Sequence, residues 1–323
     1  MTVEPTLFDT DPLQGELGTA VGLWRLLQVR GVGPKAALGL ARTFDTWNGL
    51  DSNLARAVEI AGRSSVEDLA EAVASPLSPP ILDTGTRLVG FFDGDFPDLL
   101  RSIPQPPAVL WCRGTVPAGQ LAAVVGTRSP TATGQLAASE AASALVAGGY
   151  GVVSGLARGI DAAAHEAAIE SHGVTWAYLG SGVDRPSPAE NRPLAERIVE
   201  SGGGLLSEQP PGTEPSAHTL VARDRLQSGS CGLTFIVQTG IPSGTLHTAR
   251  FTIEQGRRLC VLAPPSGEGD RPEWAGNAAL VDPAGCDPGV LRAMGRLAEK
   301  IALRRPVADV SISSVDELLA ALG

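Results

Sequence analysis

The chain has 323 residues, of which 43% are apolar and 19% are charged, so it has enough apolar material for a core and too little charge for a disordered protein. Its 25 basic and 35 acidic side chains give a formal net charge of −10. This charge disfavours long-range attraction to nucleic acid unless a local basic groove outweighs it.

Cysteines and histidines do not indicate a metal site. The four cysteines are far apart and form no C-x-x-C pair, and the four histidines are unclustered. The acidic amino terminus lacks the apolar segment of a signal peptide, and no run approaches the roughly 18 apolar residues of a membrane span. We therefore expect a reduced, cytoplasmic protein with no metal or other cofactor and no membrane contact.

The amino-terminal part predicts a small helical domain. Residues 1–18 read as a disordered leader, and residues 19–80 combine helical spacing of apolar residues with a final proline-rich linker, SPLSPP. Gly31 and Gly33 flank a tight turn, and Pro34 suits the first turn of the next helix. The pattern is typical of a helix-hairpin-helix or SAM-like domain, whose glycines let backbone N–H groups approach a phosphate. A plain turn between two helices is the alternative.

Residues 81–323 predict an α/β domain with a Rossmann-like, doubly wound, mostly parallel sheet. The strand candidates are the apolar runs LAAVVG, YGVVSG, GVTWAYLG, GGLLSE, GLTFIVQ and RRLCVLAP. The helix candidates between them are 132–148, 160–171, 190–201, 216–229 and 243–256. Strands that are apolar throughout and alternate with helices indicate a parallel sheet covered on both faces. Ligands of such sheets bind outside the carboxyl ends of the strands.

The first two strand ends combine small residues with arginine. The first is followed by GTRSPTATG, and the second opens the segment VVSGLARGIDAAAHEAAI. Their candidate phosphate-binding residues are Gly126, Thr127, Arg128, Ser154, Gly155, Arg158, Gly159, Asp161 and His165. A helix start with free N–H groups beside an arginine suits a phosphate. Asp161 also suits a purely structural place in the first turn of a helix, and His165, one turn later, is open to either reading.

The next three strand ends repeat this pattern. Their candidate residues are Gly180, Ser181, Gly182 and Asn191 after the third strand, Arg223 and Arg225 after the fourth, and Ser243, Gly244 and Thr245 after the fifth. Arginines concentrated at one edge of the sheet indicate an anionic ligand. Neither G-x-G-x-x-G nor a Walker loop is present, so the dinucleotide and P-loop readings fail.

Six blocks of sequence occur in a fixed order: FPDLLRSIPQPPAVLWCRG, VVGTRSPTATG, VVSGLARGIDAAAHEAAI, YLGSGVDRPSPAENRPLAERI, LLSEQPPGTEP and SGTLHTARFTIEQGR. They resemble the DNA-processing protein A family (DprA, also called Smf). The resemblance implies an extended Rossmann fold, often preceded by a small helical domain, that binds single-stranded DNA in natural transformation and helps to load a RecA-type recombinase. It also implies a homodimer without catalytic activity, in which Arg128 is a principal phosphate contact and the neighbouring strand-end residues complete the pocket.

Three features depart from the family pattern. Asp224 stands between two arginines where the family usually has asparagine, which lowers the local positive potential. Gln238 stands where an acidic residue usually follows the fifth strand. The sequence given stops at SSVDELLAALG, about where longer members begin a winged-helix domain.

Two other functions remain open from the residues alone. One is a regulatory protein that binds a nucleotide or nucleotide-derived signal in the same pocket. The other is a nucleotide N-glycosidase-like enzyme, for which Glu208 and Arg250 are the candidate residues although no G-G-x-G-T-x-x-E run exists. Binding of an oligo-dT strand distinguishes the DNA-binding function from both.

Overall fold

The structure is a computed structural model that describes residues 16–74, 77–80, 85–284, 295 and 306–322. The chain forms two compact units. The first comprises Met1–Asp83, Arg87–Phe96 and Gln105–Trp111; the second comprises Thr84–Thr86, Pro97–Pro104 and Cys112–Gly323. The predicted leader lies outside the described residues up to residue 15, whereas Glu16–Gly18 forms a 3-10 helix in which Leu17 is buried.

The first unit is helical, and its helices are α1 Ala20–Gln28, α2 Pro34–Thr43, α3 Trp47–Asp51, α4 Leu54–Ala61 and α5 Val66–Ala74. The predicted turn lies between α1 and α2. Gly31 has a φ of +83°, and a Cβ there would lie 2.3 Å from the Arg63 carbonyl oxygen, so only glycine fits. Pro34 opens α2 because its missing N–H needs no partner at that position. Helices are therefore present between residues 20 and 74, where the sequence predicts them.

A pair of strands, β1 (Thr86–Gly90) and β2 (Val109–Gly114), follows, with the short helix α6 (Asp98–Arg101) between them. The Phe91 N–H donates to the Ala108 carbonyl at 2.9 Å and so joins the ends of the two strands. Residues 87–96 and 105–111 belong to the first unit, although they lie beyond the predicted domain boundary at residue 80.

The second unit contains a parallel sheet. Its strands are β3 Leu121–Val125, β4 Gly151–Ser154, β5 Thr175–Tyr178, β6 Gly204–Ser207, β7 Leu233–Ile236, β8 Arg258–Leu262 and β9 Val310–Ile312. They lie in the order β6-β5-β4-β3-β7-β8-β9, with every neighbouring pair parallel. In register, Ala122 of β3 pairs with Val152 on one side and Leu233 on the other. All the predicted apolar runs form strands, while the three-residue β9 was not predicted.

Helices cover both faces of this sheet. They are α7 Ala132–Ala147, α8 Ile160–Glu170, α9 Arg192–Glu200, α10 Ala217–Gly229, α11 Thr245–Glu254 and α12 Ala275–Val281. Ala122 and Val124 of β3 share a buried cluster with α7 and α8, whereas Val125 shares another with α11 and α12. Because alternate side chains of a strand face opposite ways, the two clusters lie on opposite faces. The doubly wound Rossmann-like fold is therefore confirmed. None of the helices in the described part of the chain is long and apolar enough to cross a membrane.

Candidate nucleic-acid interface

Two adjoining cavities lie beyond the carboxyl ends of the central strands. The large cavity, of about 420 Å³, is lined by Val125, Gly126, Thr127, Arg128, Ala157, Asp161, Ala217, Leu220, Val221, Arg223, Asp224, Gln227, Pro242, Ser243, Gly244, Thr245 and Thr248. The small cavity, of about 180 Å³, is lined by Arg128, Gly155, Ala157, Arg158, Ser187, Pro188, Leu220 and Arg223. Arg128 and Arg223 line both cavities and so join them into one site.

The loop after β3 is held in place by backbone hydrogen bonds. The Thr127 N–H donates to the Gln238 carbonyl at 2.8 Å, and the Thr127 carbonyl accepts from the Ile160 N–H at 3.2 Å. Gly126 permits this closeness, since a Cβ there would lie 2.5 Å from the Ile160 side chain. The loop therefore presents Arg128, which is exposed, from a rigid base.

Gln238, one of the departures from the family pattern, fixes the start of α7. Its fully buried side-chain Oε1 accepts from the Thr131 N–H at 2.9 Å and from the Thr131 hydroxyl at 3.3 Å. Thr131 in turn caps the helix by accepting from the Gly134 N–H at 3.1 Å. A Cβ on Gly134 would lie 2.1 Å from Gln238 Oε1, so this contact requires glycine. The amide thus has a structural role beside the site.

The loop after β4 is ordered by Asp161. Its buried carboxylate accepts from the Gly155 N–H at 3.1 Å and from the Ala157 N–H at 3.4 Å. Burial raises the pKa of Asp161, while Arg223 and these backbone donors act to lower it. Gly159, with a φ of +75°, precedes α8, and a Cβ there would lie 2.5 Å from the Thr127 carbonyl oxygen. Asp161 therefore orders the turn, as the sequence indicates, and also lines the large cavity.

Arg223 is a buried guanidinium at the base of both cavities. It is 6% exposed, and its Nη1 donates to the Tyr178 carbonyl at 3.0 Å. A Cβ on Gly155 would lie 1.4 Å from the same Nη1, so the arginine occupies the space that this glycine leaves. Its Nε lies 3.3 Å from Asp224 Oδ1. Burial raises the pKa of Asp224 to about 7, with a further increase from Asp161 and opposing effects from Arg223 and Arg128.

Most of the predicted residues reach the cavities, and the others support their walls. The predicted residues that line a cavity are Gly126, Thr127, Arg128, Gly155, Arg158, Asp161, Arg223, Ser243, Gly244 and Thr245. Asn191 supports the β4 loop by donating from Nδ2 to the Leu156 and Ala157 carbonyls at 2.9 and 3.2 Å. Ser154 donates to the Val124 carbonyl at 2.7 Å, and Ser181 donates to that of Arg185 at 2.8 Å.

The glycines after β5 also act as support. A Cβ on Gly180 would lie 3.0 Å from the Leu220 backbone nitrogen, so α10 approaches the strand end closely. The Gly182 N–H donates to the Thr213 carbonyl at 2.9 Å. These residues shape the wall of the site without lining either cavity.

His165 does not line the site, which corrects its placement among the phosphate contacts. It is fully buried, and its Nδ1 lies 2.7 Å from the hydroxyl of Thr175 in β5. Burial, aided by the Arg223 charge, lowers its pKa to about 3. One helical turn beyond Asp161, the chain has already passed from the sheet edge into the core.

Arg225 is a second correction, because it pairs with Glu208 instead of extending the groove. Its Nη1 and Nη2 donate to the two Glu208 carboxylate oxygens at 2.6 and 2.7 Å. Arg250, the other residue of the N-glycosidase alternative, lies 3.8 Å from Glu254 and stacks on Phe251. Glu208 and Arg250 are therefore both engaged outside the two cavities.

The cavity walls also include residues that the sequence did not single out. Among them are Leu220, Val221, Gln227, Pro242 and Thr248. Leu220, Asp224 and Gln227 recur at a spacing of four and three residues, which places them on one face of α10. That spacing in the sequence could have identified the face of α10 that lines the cavity. Within the described residues no group of histidine, cysteine, aspartate or glutamate side chains is arranged to hold a metal ion.

The fold and the site together define a Rossmann-like protein with an arginine-lined cleft at the carboxyl edge of its sheet. Residues 87–285 match the family model of DNA recombination-mediator protein A. The chain belongs to this family, as its resemblance to DprA and Smf proteins indicates.

Relatives and solved structures agree with this membership. The chain is 36% identical over 200 residues to a putative DNA processing protein DprA of Mycobacterium tuberculosis, covering 57% of this chain and 51% of the relative. It is 36% identical over 250 residues to protein Smf of a Synechocystis species, covering 73% and 62%. The chain thus spans only about half to three fifths of these relatives.

Two solved structures share the fold. DNA processing protein A from Streptococcus pneumoniae superposes with a TM-score of 0.68 at 23% identity, covering 94% of this chain and 97% of that one. The protein of the same name from Helicobacter pylori superposes with a TM-score of 0.59 at 22% identity, covering 74% and 96%.

The burial of His165 predicts a specific pH dependence of stability. Between pH 6.5 and 3 the unfolded chain binds a proton on this histidine that the folded chain does not, so stability falls as the pH falls. The slope from this group is at most about 1.4 kcal/mol per pH unit. Urea unfolding of His165→Asn across this range should show a shallower acid loss than the parent. Equal slopes would contradict a neutral buried imidazole.

Proposed function

We propose that the chain binds single-stranded DNA through its phosphates, along the edge from Arg128 to Arg158. The observation that carries this proposal is the state of Arg128. Its guanidinium is exposed, lines both cavities and forms no ion pair with any carboxylate of the described residues. An exposed guanidinium on a loop held by backbone hydrogen bonds, beside helix starts, suits a phosphate oxygen.

The small cavity is the better phosphate site because of its charge. Arg128, Arg158 and Arg223 line it without any carboxylate among its lining residues, whereas Asp161 and Asp224 line the large cavity. Arg158 is exposed and pairs with Glu190, so a phosphate there competes with an exposed ion pair of small energy. The arginines of the small cavity therefore make this edge locally positive, although the net charge of the whole chain is −10.

Phosphate contacts, more than base stacking, supply the affinity in this proposal. Tyr178 is fully buried, and its hydroxyl accepts from the Ser230 hydroxyl. Tyr150 packs against the α7–α8 core cluster. Neither tyrosine lines a cavity, so stacking on them contributes little.

A similar solved structure supports single-stranded DNA as the ligand. The Helicobacter pylori structure is that of a protein that binds single-stranded DNA. By analogy with the family, we propose that residues 81–323 form the DNA-binding domain and that a helical domain at 19–80 precedes it in the sequence. We further propose a non-enzymatic dimer that protects incoming single strands and delivers them to a RecA-type recombinase.

Replacing Arg128 tests the proposal directly. Arg128→Ala should weaken binding of a labelled oligo-dT strand by more than tenfold, about 1.4 kcal/mol, because it removes the central phosphate contact. The slope of log K against log salt should also become shallower by about 0.7, the value of one single-strand phosphate contact. Fluorescence anisotropy at several salt concentrations measures both.

The matched control is Arg197→Ala. Arg197 is exposed in the last turn of α9. This helix leads the chain back to the amino-terminal ends of the strands, away from the candidate site. This variant loses the same charge and should bind oligo-dT like the parent protein. A near-unchanged oligo-dT affinity of Arg128→Ala, or an equal loss of affinity in both variants, would contradict the assignment of Arg128 as a phosphate contact.

Asp224 predicts how DNA binding responds to pH. Its pKa of about 7 means that the carboxylate gains a proton as the pH falls from 8 to 6, which removes a negative charge beside Arg128. Oligo-dT affinity should therefore rise over this range, and Asp224→Asn should bind more tightly at pH 8 with a smaller pH response. His218 and His247 are present in both proteins, so the difference in response isolates Asp224. Identical pH profiles would contradict this effect.

A further inference from the structure

We propose that the hairpin between α1 and α2, residues 29–35, binds the phosphate backbone of duplex DNA. The contacts are the side chains of Arg30, Lys35 and Arg63 and the N–H groups at the start of α2. All of these residues belong to the first unit, and none lines either cavity of the second. The inference therefore goes beyond the proposed single-strand function and does not rest on it.

The segment around this hairpin is basic in an acidic chain. Residues 17–44 contain four cationic side chains and no aspartate or glutamate, although the whole chain has 35 acidic residues. Two of the four cations, Arg25 and Arg42, lie over aromatic rings. The other two, Arg30 and Lys35, are exposed in the hairpin. The hairpin therefore carries a local positive charge within a chain of net charge −10.

Two buried valines anchor the hairpin and leave its other residues in solvent. Val29 and Val32 are each 6% exposed, and the Val32 N–H donates to the Val29 carbonyl at 3.0 Å. The exposed residues are Arg30, Gly31, Gly33, Pro34 and Lys35. Because the apolar side chains fix the backbone, the cations and N–H groups are held on the outer surface of the turn.

The start of α2 has N–H groups without acceptors. Lys35 and Ala36 donate theirs to no acceptor among the described residues, and the N-cap Gly33 has no side chain to accept them. A Cβ on Gly33 would meet no atom within 4 Å, so the space that a capping side chain would take is open. N–H groups at a helix start beside a lysine suit a phosphate oxygen.

The loop after α4 adds a third cation and a buried hydroxyl. A Cβ on Gly31 would lie 2.3 Å from the Arg63 carbonyl oxygen and 3.0 Å from the Ser64 backbone nitrogen, so this loop packs on the hairpin. Arg63 is exposed and forms no ion pair with a described carboxylate. Ser64 is 7% exposed, and its hydroxyl has no hydrogen-bond partner in the described part of the chain. Buried hydroxyls without a partner are rare, so this one is a separate indication of a ligand beside the hairpin.

The carboxylate of Asp68 does not neutralise these cations. It accepts from the Ser65 N–H at 3.1 Å and from the Ser65 hydroxyl at 2.9 Å. These hydrogen bonds and the Arg30 charge lower the pKa of Asp68. An attraction between solvent-exposed charges is weak, so a phosphate can compete with Asp68 for Arg30.

The groups in the hairpin favour a duplex over a single strand. Residues 29–35 contain no aromatic side chain, whereas single-strand sites combine a groove with rings on which bases stack. A duplex keeps its bases stacked inside and carries one phosphate charge per about 1.7 Å of its axis, twice the density of one strand. N–H groups and cations on a projecting turn contact such a backbone without reading its sequence.

Gly33→Asp tests the site while it preserves the fold. Gly33 has a φ of −98° and a ψ of 179°, an extended conformation that N-cap residues ordinarily adopt. The new carboxylate would accept from the N–H groups of α2, so the full chain should melt at a temperature no lower than that of the parent. Because it places a negative charge where the phosphate binds, affinity for a labelled duplex at low salt should fall more than tenfold.

Asn53→Asp is the matched control. It adds the same charge at the N-cap of α4, at the other end of that helix from the loop that packs on the hairpin. This variant should bind the duplex like the parent protein. Equal losses of duplex affinity in Gly33→Asp and Asn53→Asp would reveal a general charge effect and overturn the proposal.

Lys35→Ala tests a single phosphate contact. The slope of log K against log salt for the duplex should become shallower by about 0.9, the value of one duplex phosphate. Arg56→Ala removes the same charge from an exposed pair with Glu59 on α4 and should leave the slope unchanged. An unchanged slope in Lys35→Ala would contradict a contact at this lysine.

Oligo-dT binding by the same variants separates this inference from the proposed function. We expect Gly33→Asp to lose duplex binding and keep oligo-dT binding, and Arg128→Ala to lose oligo-dT binding and keep duplex binding. If Arg128→Ala alone loses the duplex, the sheet edge binds both forms and only this inference fails. If Gly33→Asp loses oligo-dT but not the duplex, the hairpin binds single strands and the duplex assignment is wrong. Absence of duplex binding by the parent at low salt would also overturn it.

Discussion

The site depends on burying the Arg223 guanidinium where β4, β5 and α10 meet. Nη1 donates to the Tyr178 carbonyl at the end of β5, in the space left by the missing side chain of Gly155. A buried guanidinium requires nearby negative charge, which Asp161 and Asp224 supply. Asp161 also accepts from the backbone of the β4 loop, so one ionic cluster connects two strand ends and a helix. Removing Arg223 would leave two buried carboxyl groups without their shared cation.

This cluster explains how an acidic protein provides an anion site. Of the arginines at the sheet edge, Arg225 pairs with Glu208, and the Arg223 Nε lies against Asp224. Arg158 pairs with Glu190 in an exposed position. Arg128 differs because backbone hydrogen bonds to Gln238 and Ile160 hold its loop in place. Its guanidinium lies beside both cavities. The local surplus of positive charge is thus confined to a short segment of the edge.

The sequence predicts the elements whose pattern has a single physical cause. Buried parallel strands are apolar throughout, so their positions and the ligand-binding edge could be predicted. It failed where direction mattered: Arg223 and Arg225 are two residues apart on a helix and so point about 200° apart, one into the site and one to Glu208. His165 looked like a ligand because it follows Asp161 by one turn, yet that turn carries it to Thr175 in the core.

The central claim is that a DNA phosphate is bound at Arg128. The most direct measurement is a crystal structure of the chain with a short dT strand. A phosphate oxygen should lie about 3 Å from the Arg128 guanidinium, and the strand should run from there towards Arg158. A strand bound elsewhere, with Arg128 contacting only solvent, would show that Arg128 is not a phosphate contact.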